Sequence, residues 1–582
     1  MHVFLVESRG PPARIQPRGQ RLAAIRTDRV RRAAILAHFG RRWFRRASAR
    51  SFAFLPQLGR KGLTELVIAP GDIRTADPTR ADDIYAGYYV FGGRMVNGEG
   101  RTPFDIPAPT ADFARELAGF GWLRHLRAAG TSLSRTNARA LIGDFLQAEP
   151  RLRAGPAGEP AVVARRILSW LSQAPFVLTG ADADFYNAFM RGLTRDSATL
   201  ARRAGDTVGQ DRLLAGIALT ELALCADLGE ATLRRTTAAL SEELTRQIFA
   251  DGGHVGRNPE TLVDLLLDLL PLRHTFVARN QPAPQALLNA IDRMIPMLRL
   301  LRHGDGSLAL FNGMGVTELD HLATVLASAD ARGRALLNAP HAGYQRLESA
   351  DAVVIIDTGA PPPGLLSRTA HAGCLSFELS LGGQRVIVNC GAPPPGKPAQ
   401  RIAARQTAAH STLVIDDTSS CSFAADRGLE RFLREAVISG PRTVTAERRE
   451  QADATILDAS HDAYGPMFGL RHARRLSLTR DGRRLVGEDR LLASPGTPQR
   501  KPERFDIRFH IHPAVRVETA SDRTSLFLLA GHDAFVFETN APVAIEESVL
   551  FAAPTGAQPS RQIVVSGPAT ADASVLWSLT KR

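Results

Sequence analysis

A polar cluster lies between two apolar helical stretches in DGGHVGRNPETL, residues 251–262. It contains His254, Arg257, Asn258 and Glu260. A guanidinium and an amide can bind a carboxylate, and an imidazole beside them can take up or release a proton. The cluster therefore predicts a carboxylate-binding site at the polar end of a helix pair. Helix capping is an equal alternative, because Asn258 precedes Pro259 and Glu260 falls in the first turn, where the helix dipole favours a negative charge.

Further candidates lie nearer the C-terminus. Tyr344 precedes the first β-type segment, so its phenol could act as an acid at a cleft, although packing between domains is the commoner role of such a tyrosine. His510 and His512 share one face of an alternating strand, which suits two metal ligands and is shown more often by solvent-facing or interface histidines. Asn312 precedes Gly313 in LFNG, a position typical of a turn.

The charge balance favours an anionic partner. The chain carries 72 Lys+Arg against 59 Asp+Glu, a formal net charge of +13 at pH 7, and most of the cations are arginine. Arginine pairs bidentately with carboxylate, sulfate or phosphate, so polyuronides, nucleic acids and anionic lipids all fit, as does an arginine-rich composition without any partner.

The N-terminal region is strongly basic. Between Arg14 and Arg50, twelve arginines accompany one acidic residue, Asp28, and apolar residues recur at roughly helical spacing. This pattern predicts a basic amphipathic segment that docks on the main body or lies on a membrane surface or nucleic acid.

Cysteine usage and hydropathy exclude several protein classes. Cys225, Cys374, Cys390 and Cys421 show no CxxC spacing, so we expect neither a zinc ribbon nor a disulfide framework, although a Cys374–Cys390 bridge could span one hairpin. We find no apolar run of about 18 residues, and hence expect no transmembrane segment. The opening MHVFLVESRG does not have the pattern of a signal peptide.

The elements that would position these residues change type along the chain. Residues 110–340 repeat a helical period, as in DRLLAGIALTELALCAD, and PETLVDLLLDLLPLR is apolar nearly all round, which predicts an inner helix. After residue 345 the period alternates, with two-residue turns at Gly382-Gly383 and Asp481-Gly482. We expect a basic, partly helical segment over residues 1–80, an α/α barrel over 81–342 and an antiparallel β-sandwich over 343–582.

These segments resemble a known family. HAGCLSFELSLGGQRVIVNCG, followed by RQTAAHSTLVIDD, resembles the signature that opens the C-terminal sandwich of heparinase II/III-like proteins. DGGHVGRNPETL and LFNGMG resemble the barrel segments before it. The resemblance implies a bacterial α/α toroid with a sandwich, and polysaccharide lyase chemistry, in which β-elimination cleaves a glycosidic bond beside a uronic acid.

Such an elimination needs donors that neutralise the uronate carboxylate, a base for the C5 proton and an acid for the departing oxygen. By the resemblance, the substrate would be bound by Arg257, Asn258 and Asn312. The protons would be handled by His254, Tyr344, His371 and His410.

The sequence departs from the family pattern in three places. Asp211 and Arg212 stand where relatives usually hold an Asn-His pair, RNPETLVDL replaces the segment that carries a Tyr, and Thr369 replaces the first of two histidines. We therefore predict a polysaccharide lyase that cleaves or binds a uronic-acid-containing acidic polysaccharide, and the alternative is a non-catalytic glycan-binding or envelope-assembly protein that has lost the usual lyase residues.

The resemblance also raises a metal site. His371, Asn389 and His410 match positions where some relatives hold a metal, commonly zinc, with two His and an Asp. A neutral Asn removes the anionic ligand, so the alternatives are a structural zinc and a hydrogen-bonded polar cluster. No cofactor is required for the elimination.

The expected partner is an acidic polysaccharide, with peripheral envelope contact through the basic N-terminal segment. Nucleic acid is not expected and is the weaker option. By the resemblance the protein belongs in the cell envelope or periplasm, while the missing signal peptide leaves the cytoplasm open.

Overall fold

The computed structural model describes residues 62–582, with gaps at 227, 329–332, 426–432, 520–523 and 532, and also residues 33 and 40. The basic segment from Arg14 to Arg50 lies outside the described residues, apart from those two positions. The predicted fold class, a helical toroid followed by an antiparallel sandwich, is confirmed.

The helical half is built of two layers of helices. A short helix, α1 (Arg80–Tyr85), and a hairpin of β1 (Tyr88–Phe91) and β2 (Arg94–Asn97) precede it. The inner helices, each packed on the next along the ring, are α2 (Ala111–Gly119) with α3 (Leu123–Ala129), α5 (Pro160–Leu178), α7 (Gln210–Cys225), α9 (Pro259–Ala278) and α11 (Leu319–Ala327). The outer helices are α4 (Ser132–Leu152), α6 (Ala183–Arg203), α8 (Glu230–Gln247) and α10 (Gln285–Leu300).

The sequence explains the ends of α8 and α9. The Asn258 side chain accepts a hydrogen bond of 3.0 Å from the Glu260 amide, and Pro259 occupies the first helical position, so the N-cap is confirmed. Almost all of α9 is buried, which confirms the prediction of an inner helix. The α8 helix ends at Gln247 rather than at the Gly252-Gly253 pair, because Ile248 pairs with His254 in an isolated bridge.

The C-terminal half consists mainly of two antiparallel sheets. The first sheet comprises β3 (Asn338–Ala339), β4 (Tyr344–Ser349), β5 (Ala352–Asp357), β6 (Phe377–Leu381), β7 (Gln384–Val388), β8 (Leu413–Ile415), β15 (Arg504–Ile511), β19 (Val543–Leu550) and β20 (Gln558–Pro568). Its strand order is β19-β20-β15-β7-β6-β5-β4-β3, with β8 paired to β15. The second sheet comprises β11 (Val444–Glu450), β12 (Ala454–His461), β13 (Leu470–Thr479), β14 (Arg484–Ala493), β16 (Val515–Thr519), β17 (Ser525–Ala530), β18 (Asp533–Thr539) and β21 (Ser574–Lys581), in the order β11-β12-β13-β14-β21-β18-β17-β16.

Smaller elements connect these strands. They are β9 (Ser422–Phe423) paired with β10 (Val437–Ser439), α12 (Pro398–Ala404) and α13 (Gly465–Phe468). The turns predicted between β6 and β7 and between β13 and β14 are confirmed, with Gly382 at φ +53° and Gly482 at φ +68°. Phe377 and Trp577 stack across the sandwich core with ring centroids 5.5 Å apart.

The two halves share one apolar core. Leu266 and Leu298 of the inner and outer helices belong to the same buried cluster as Ile355 and Val388 of the first sheet. Because this shared core fixes the sheet against the end of the toroid, it also fixes the polar groups at the junction. None of the helices in the described residues is long and apolar enough to span a bilayer.

Candidate functional site

The loop between α8 and α9 points its histidine into the protein. Nδ1 of His254 accepts a hydrogen bond from the Gly256 amide at 3.0 Å, which leaves the proton on Nε2, 3.0 Å from Oε1 of Gln247. Burial lowers the pKa of His254 to about 4, because no countercharge offsets the loss of water. His254 is therefore a neutral, fully bonded side chain, and its arrangement favours a structural role over proton transfer.

Arg257 joins the two halves of the molecule. Its backbone adopts φ +60°, and its buried guanidinium donates to four carbonyl groups and to the carboxylate of Asp357. The carbonyls are those of Ala342 at 2.7 Å and of Gly343, Gly359 and Ala360 at 3.1 Å each. All the guanidinium nitrogens thus have protein acceptors, so the arginine predicted to bind a uronate is occupied by the sandwich.

Asn312 and Tyr344 complete the same network. Nδ2 of Asn312 donates to the Tyr344 hydroxyl at 2.8 Å and to Oδ2 of Asp357 at 3.0 Å. The Tyr344 hydroxyl donates to the Arg257 carbonyl at 2.5 Å, and burial raises the pKa of this phenol well above its usual value. An acid of such high pKa surrounded by partners suits interdomain packing better than proton donation.

The two histidines of the family signature meet side by side. Nδ1 of His371 lies 3.1 Å from Nε2 of His410, whose Nδ1 lies 2.8 Å from the Gln406 carbonyl. The His371 amide donates to Oδ1 of Asn312 at 3.2 Å, which links this pair to Asp357 and Arg257. Burial, with His410 and Arg405 adding to its effect, lowers the pKa of His371, and burial lowers that of His410 to about 4.

The residues of the proposed metal site do not fit a zinc ion. The Gln406 carbonyl calls for a proton on Nδ1 of His410, so its Nε2 accepts from His371 and has no free lone pair for a metal. Oδ1 of Asn389 accepts from the Ser411 amide at 3.0 Å, so the amide oxygen is engaged as well. The arrangement agrees with a hydrogen-bonded polar cluster, and within the described residues there is no group of three or more His, Cys, Asp or Glu that could hold a metal.

The structure thus brings five predicted residues into one buried junction: Arg257, Asn312, Tyr344, His371 and His410. His254 and Asn258 lie in the adjoining loop, and Asn389 reaches the junction through Ser411. The four cysteines are free, so the Cys374–Cys390 bridge considered from the sequence is wrong. Asp357 was missed, although a single acid at the end of the apolar run AVVIID signals a buried charge that needs a cation.

Solvent-exposed charged residues lie at the rim beside this junction. Arg368 and Asp211, at the start of α7, approach to 3.8 Å, and both Arg368 and Arg434 are exposed. Burial raises the pKa of Asp211, while Arg368 and Arg434 oppose the rise. Arg212 lies away from this rim, 2.5 Å from the carboxylate of Glu243.

A cavity of about 320 Å³ opens among the inner helices. No local sequence pattern reveals this cavity, because its residues come from six separate segments and only folding brings them together. It is lined by five arginines (Arg74, Arg80, Arg115, Arg124 and Arg165), by His125 and His321, and by five carboxylates (Asp72, Glu116, Glu221, Asp264 and Asp268). The charge of Arg115, which lines the cavity, also acts on Asp211 at the rim.

The family comparison agrees with the fold. A family model described as "Heparinase II/III-like, C-terminal" matches residues 331–578. FtsZ-localized protein C of Caulobacter vibrioides (strain NA1000 / CB15N) is 32% identical over 565 residues, covering 94% of this chain and 95% of that protein.

Solved structures resemble the whole chain at low identity. Heparinase III superposes with a TM-score of 0.66 at 14% identity, covering 91% of this chain and 89% of the other. The heparan sulfate lyase HepC from Pedobacter heparinus gives 0.57 at 14% identity over 88% and 84%. The Streptomyces coelicolor A3 chondroitin AC lyase gives 0.50 at 13% identity over 87% and 78%. At these identities the likeness establishes the shared fold.

Proposed function

The chain belongs to the heparinase II/III-like family, and we propose that it binds an acidic polysaccharide in its arginine-lined cavity without cleaving it by β-elimination. One observation carries the proposal: the side chains at the proton-transfer positions are buried and bonded to other protein groups. His254 has two partners, and His371 and His410 bond to each other. An elimination needs a base that reaches the C5 proton of the substrate.

Solvent-exposed arginines support an acidic ligand. Arg368 and Arg434 are exposed at the rim, and Arg80 is exposed at the cavity. Guanidinium groups bind carboxylate and sulfate bidentately, and a concave surface strengthens their common field. The lyases of similar fold are named for heparan sulfate and chondroitin, which supports an acidic glycan as the ligand class.

The test uses one panel of polyuronides and glycosaminoglycans in two assays. Ultraviolet absorbance reports the unsaturated product of elimination, and we expect no increase with any polymer. Affinity electrophoresis reports binding, and we expect retardation by at least one polymer that is weakened in Arg368→Gln and Arg115→Gln. The exposed Arg234→Gln of α8 removes the same charge on the outer layer and should leave retardation unchanged.

The outcomes separate the two hypotheses. A rise in absorbance that disappears in His371→Ala would establish the lyase and overturn the non-catalytic proposal. Absence of binding across the panel would overturn the acidic-polysaccharide ligand. Binding that Arg368→Gln, Arg115→Gln and Arg234→Gln all leave unchanged would overturn the cavity as its site.

We further propose an envelope role at the division site. The support is the name of the relative, FtsZ-localized protein C, which is similar over nearly the whole chain. A fluorescent fusion expressed in the native cell should concentrate at midcell in dividing cells. Uniform fluorescence from a full-length, stable fusion would overturn this location.

A further inference from the structure

One corner of the cavity holds a buried donor that has no acceptor. This donor belongs to His125, which is 4% exposed and lines the cavity. Its Nδ1 accepts a hydrogen bond of 2.9 Å from the Asp77 amide, so the neutral ring carries its proton on Nε2. That Nε2 is buried and has no hydrogen-bond partner among the described residues. A buried donor without an acceptor is uncommon in proteins and indicates an absent water or ligand.

Two arginines stand beside this imidazole. Arg124 and Arg80 line the cavity together with His125. Burial, with repulsion from Arg124 and Arg80 added to it, lowers the pKa of His125 to about 4. Arg124 donates to the carbonyls of Gly121 at 2.6 Å and Thr75 at 3.0 Å. Within the part of the chain that the structure describes, neither Arg80 nor Arg124 forms an ion pair with a carboxylate. The corner therefore holds two guanidiniums without an ion-pair partner in the described part of the chain, although the charges of Asp72 and Asp77 also act on Arg124 and His125.

The carboxylates that also line the cavity are already engaged. Asp268 accepts from Arg165 at 2.7 Å and lies 2.9 Å from Arg74, so these opposite charges are paired. Glu116 accepts from the Gly92 amide at 2.6 Å, and Asp264 accepts from Gln210 at 2.9 Å. Glu221 accepts from the Thr275 hydroxyl, and Asp72 accepts from the Arg74 amide at 3.1 Å while its charge also acts on Arg124. These acids thus satisfy other donors, and none of them forms an ion pair with Arg80 or Arg124.

We propose that Arg80, Arg124 and His125 form a pocket for a single oxyanion group, a carboxylate or a sulfate or phosphate ester. The guanidiniums supply charge-assisted hydrogen bonds and Nε2 of His125 supplies a neutral donor. The inference deepens the proposed function and rests on it in one respect, because a polymer would have to enter the same cavity from the rim.

The depth of the pocket points to an end group of the polymer. The lining residues of α5 run from Arg165 to Ser172, a span of seven residues that at the helical rise of about 1.5 Å per residue is roughly 10 Å along the helix. The Pro70–Arg80 segment lines the cavity at this level, where the Asp72 carboxylate lies 3.5 Å from Gln173. A chain end reaches such a depth more readily than the middle of a chain does.

The experiment titrates the full-length protein with sodium sulfate, phosphate and glucuronate separately, at constant ionic strength, by isothermal titration calorimetry. We expect saturable binding of at least one anion, weakened about tenfold or more in Arg80→Gln, since one charge-assisted contact is removed. Arg80 is exposed and lies at the start of a short helix, so this variant should fold normally. Arg124→Gln should weaken binding as well, and Arg234→Gln is the charge-matched control.

The three anions identify the group that the pocket prefers, glucuronate standing for a uronate end and sulfate or phosphate for an ester. Failure of all three to bind, or equal binding by wild type and Arg80→Gln, would overturn the pocket. Loss of small-anion binding in Arg80→Gln with full retention of polymer binding would overturn the end-group role and leave the proposed function standing. Weakening of both in Arg80→Gln, with no effect of Arg234→Gln, supports the inference.

Discussion

Replacing Glu221 by Gln should stabilise the protein at alkaline pH and leave its stability almost unchanged at acidic pH. Glu221 lies in the last turn and a half of α7, is 1% exposed, and accepts a hydrogen bond of 2.5 Å from the Thr275 hydroxyl. Burial, reinforced by the negative charge of Asp268, raises the pKa of this carboxyl to about 7. Glutamine keeps the acceptor for Thr275 and removes the charge.

The size of the effect follows from the difference in proton affinity between the folded and unfolded states. The pKa of the Glu221 carboxyl is 4.5 in the unfolded chain and about 7 in the folded protein. Since each tenfold change in proton affinity is worth about 1.4 kcal/mol, the wild type loses up to about 3 kcal/mol of stability when the carboxyl ionises. The raised folded-state pKa fixes the sign: the penalty is absent below pH 4.5 and grows as the pH rises to about 7.

Urea unfolding, followed by tryptophan fluorescence at pH 5 and pH 8.5, measures the difference. At pH 8.5 the free energy of unfolding of Glu221→Gln should exceed that of the wild type by about 2–3 kcal/mol, and at pH 5 the two values should agree within about 1 kcal/mol. Glu230→Gln, an exposed change on α8, should have little effect at either pH. Parallel stabilities of wild type and Glu221→Gln across this range would refute the view that Glu221 is buried and ionises at a cost.

Three further results are expected. Arg257→Ala should lower the free energy of unfolding by ~3–5 kcal/mol, because it leaves the buried Asp357 charge uncompensated; calorimetric unfolding checks this, and a wild-type midpoint would contradict the structural role. A thiol reagent should label no cysteine of the native protein and all four after unfolding, since burial raises the pKa of Cys390 and Cys421 to about 12; rapid native labelling would contradict the packing. Polymer retardation should weaken steadily with added salt, as exposed arginines are screened, and retardation that does not depend on salt would argue against them.

The fold could be predicted largely from periodicity. The apolar α9 with Pro259 at its start and the alternating β6 and β15 each carry a local pattern that packing reinforces. The end of α8 could not be predicted, because the Ile248–His254 bridge outweighed the glycine stop signal. The β1–β2 hairpin was also missed, since its short segments have no strong alternation.

The composition of the candidate site was predicted better than its chemistry. Local sequence and family resemblance singled out Arg257, Tyr344 and His371, and the structure joins them. Their roles depended on Asp357 and on backbone carbonyls far away in the sequence, which no local pattern reveals. The cavity was invisible for the same reason, because Arg80, Arg124 and Arg165 belong to different elements.

Arg257 at the junction and Arg124 in the cavity differ in how their positive charge is balanced. The guanidinium of Arg257 donates to four carbonyls and to Asp357. Binding a substrate there would therefore require breaking contacts that hold the sheet against the toroid. Arg124 lies among cations instead, and burial together with Arg74, Arg80 and Arg165 lowers its pKa against the pull of Asp72. Such crowding raises the free energy of the empty cavity, and an incoming anion relieves it. A binding site is therefore favoured where guanidiniums have no ion-pair partner among the described residues, which is the corner of the helical cavity at Arg80 and Arg124, and disfavoured at the junction.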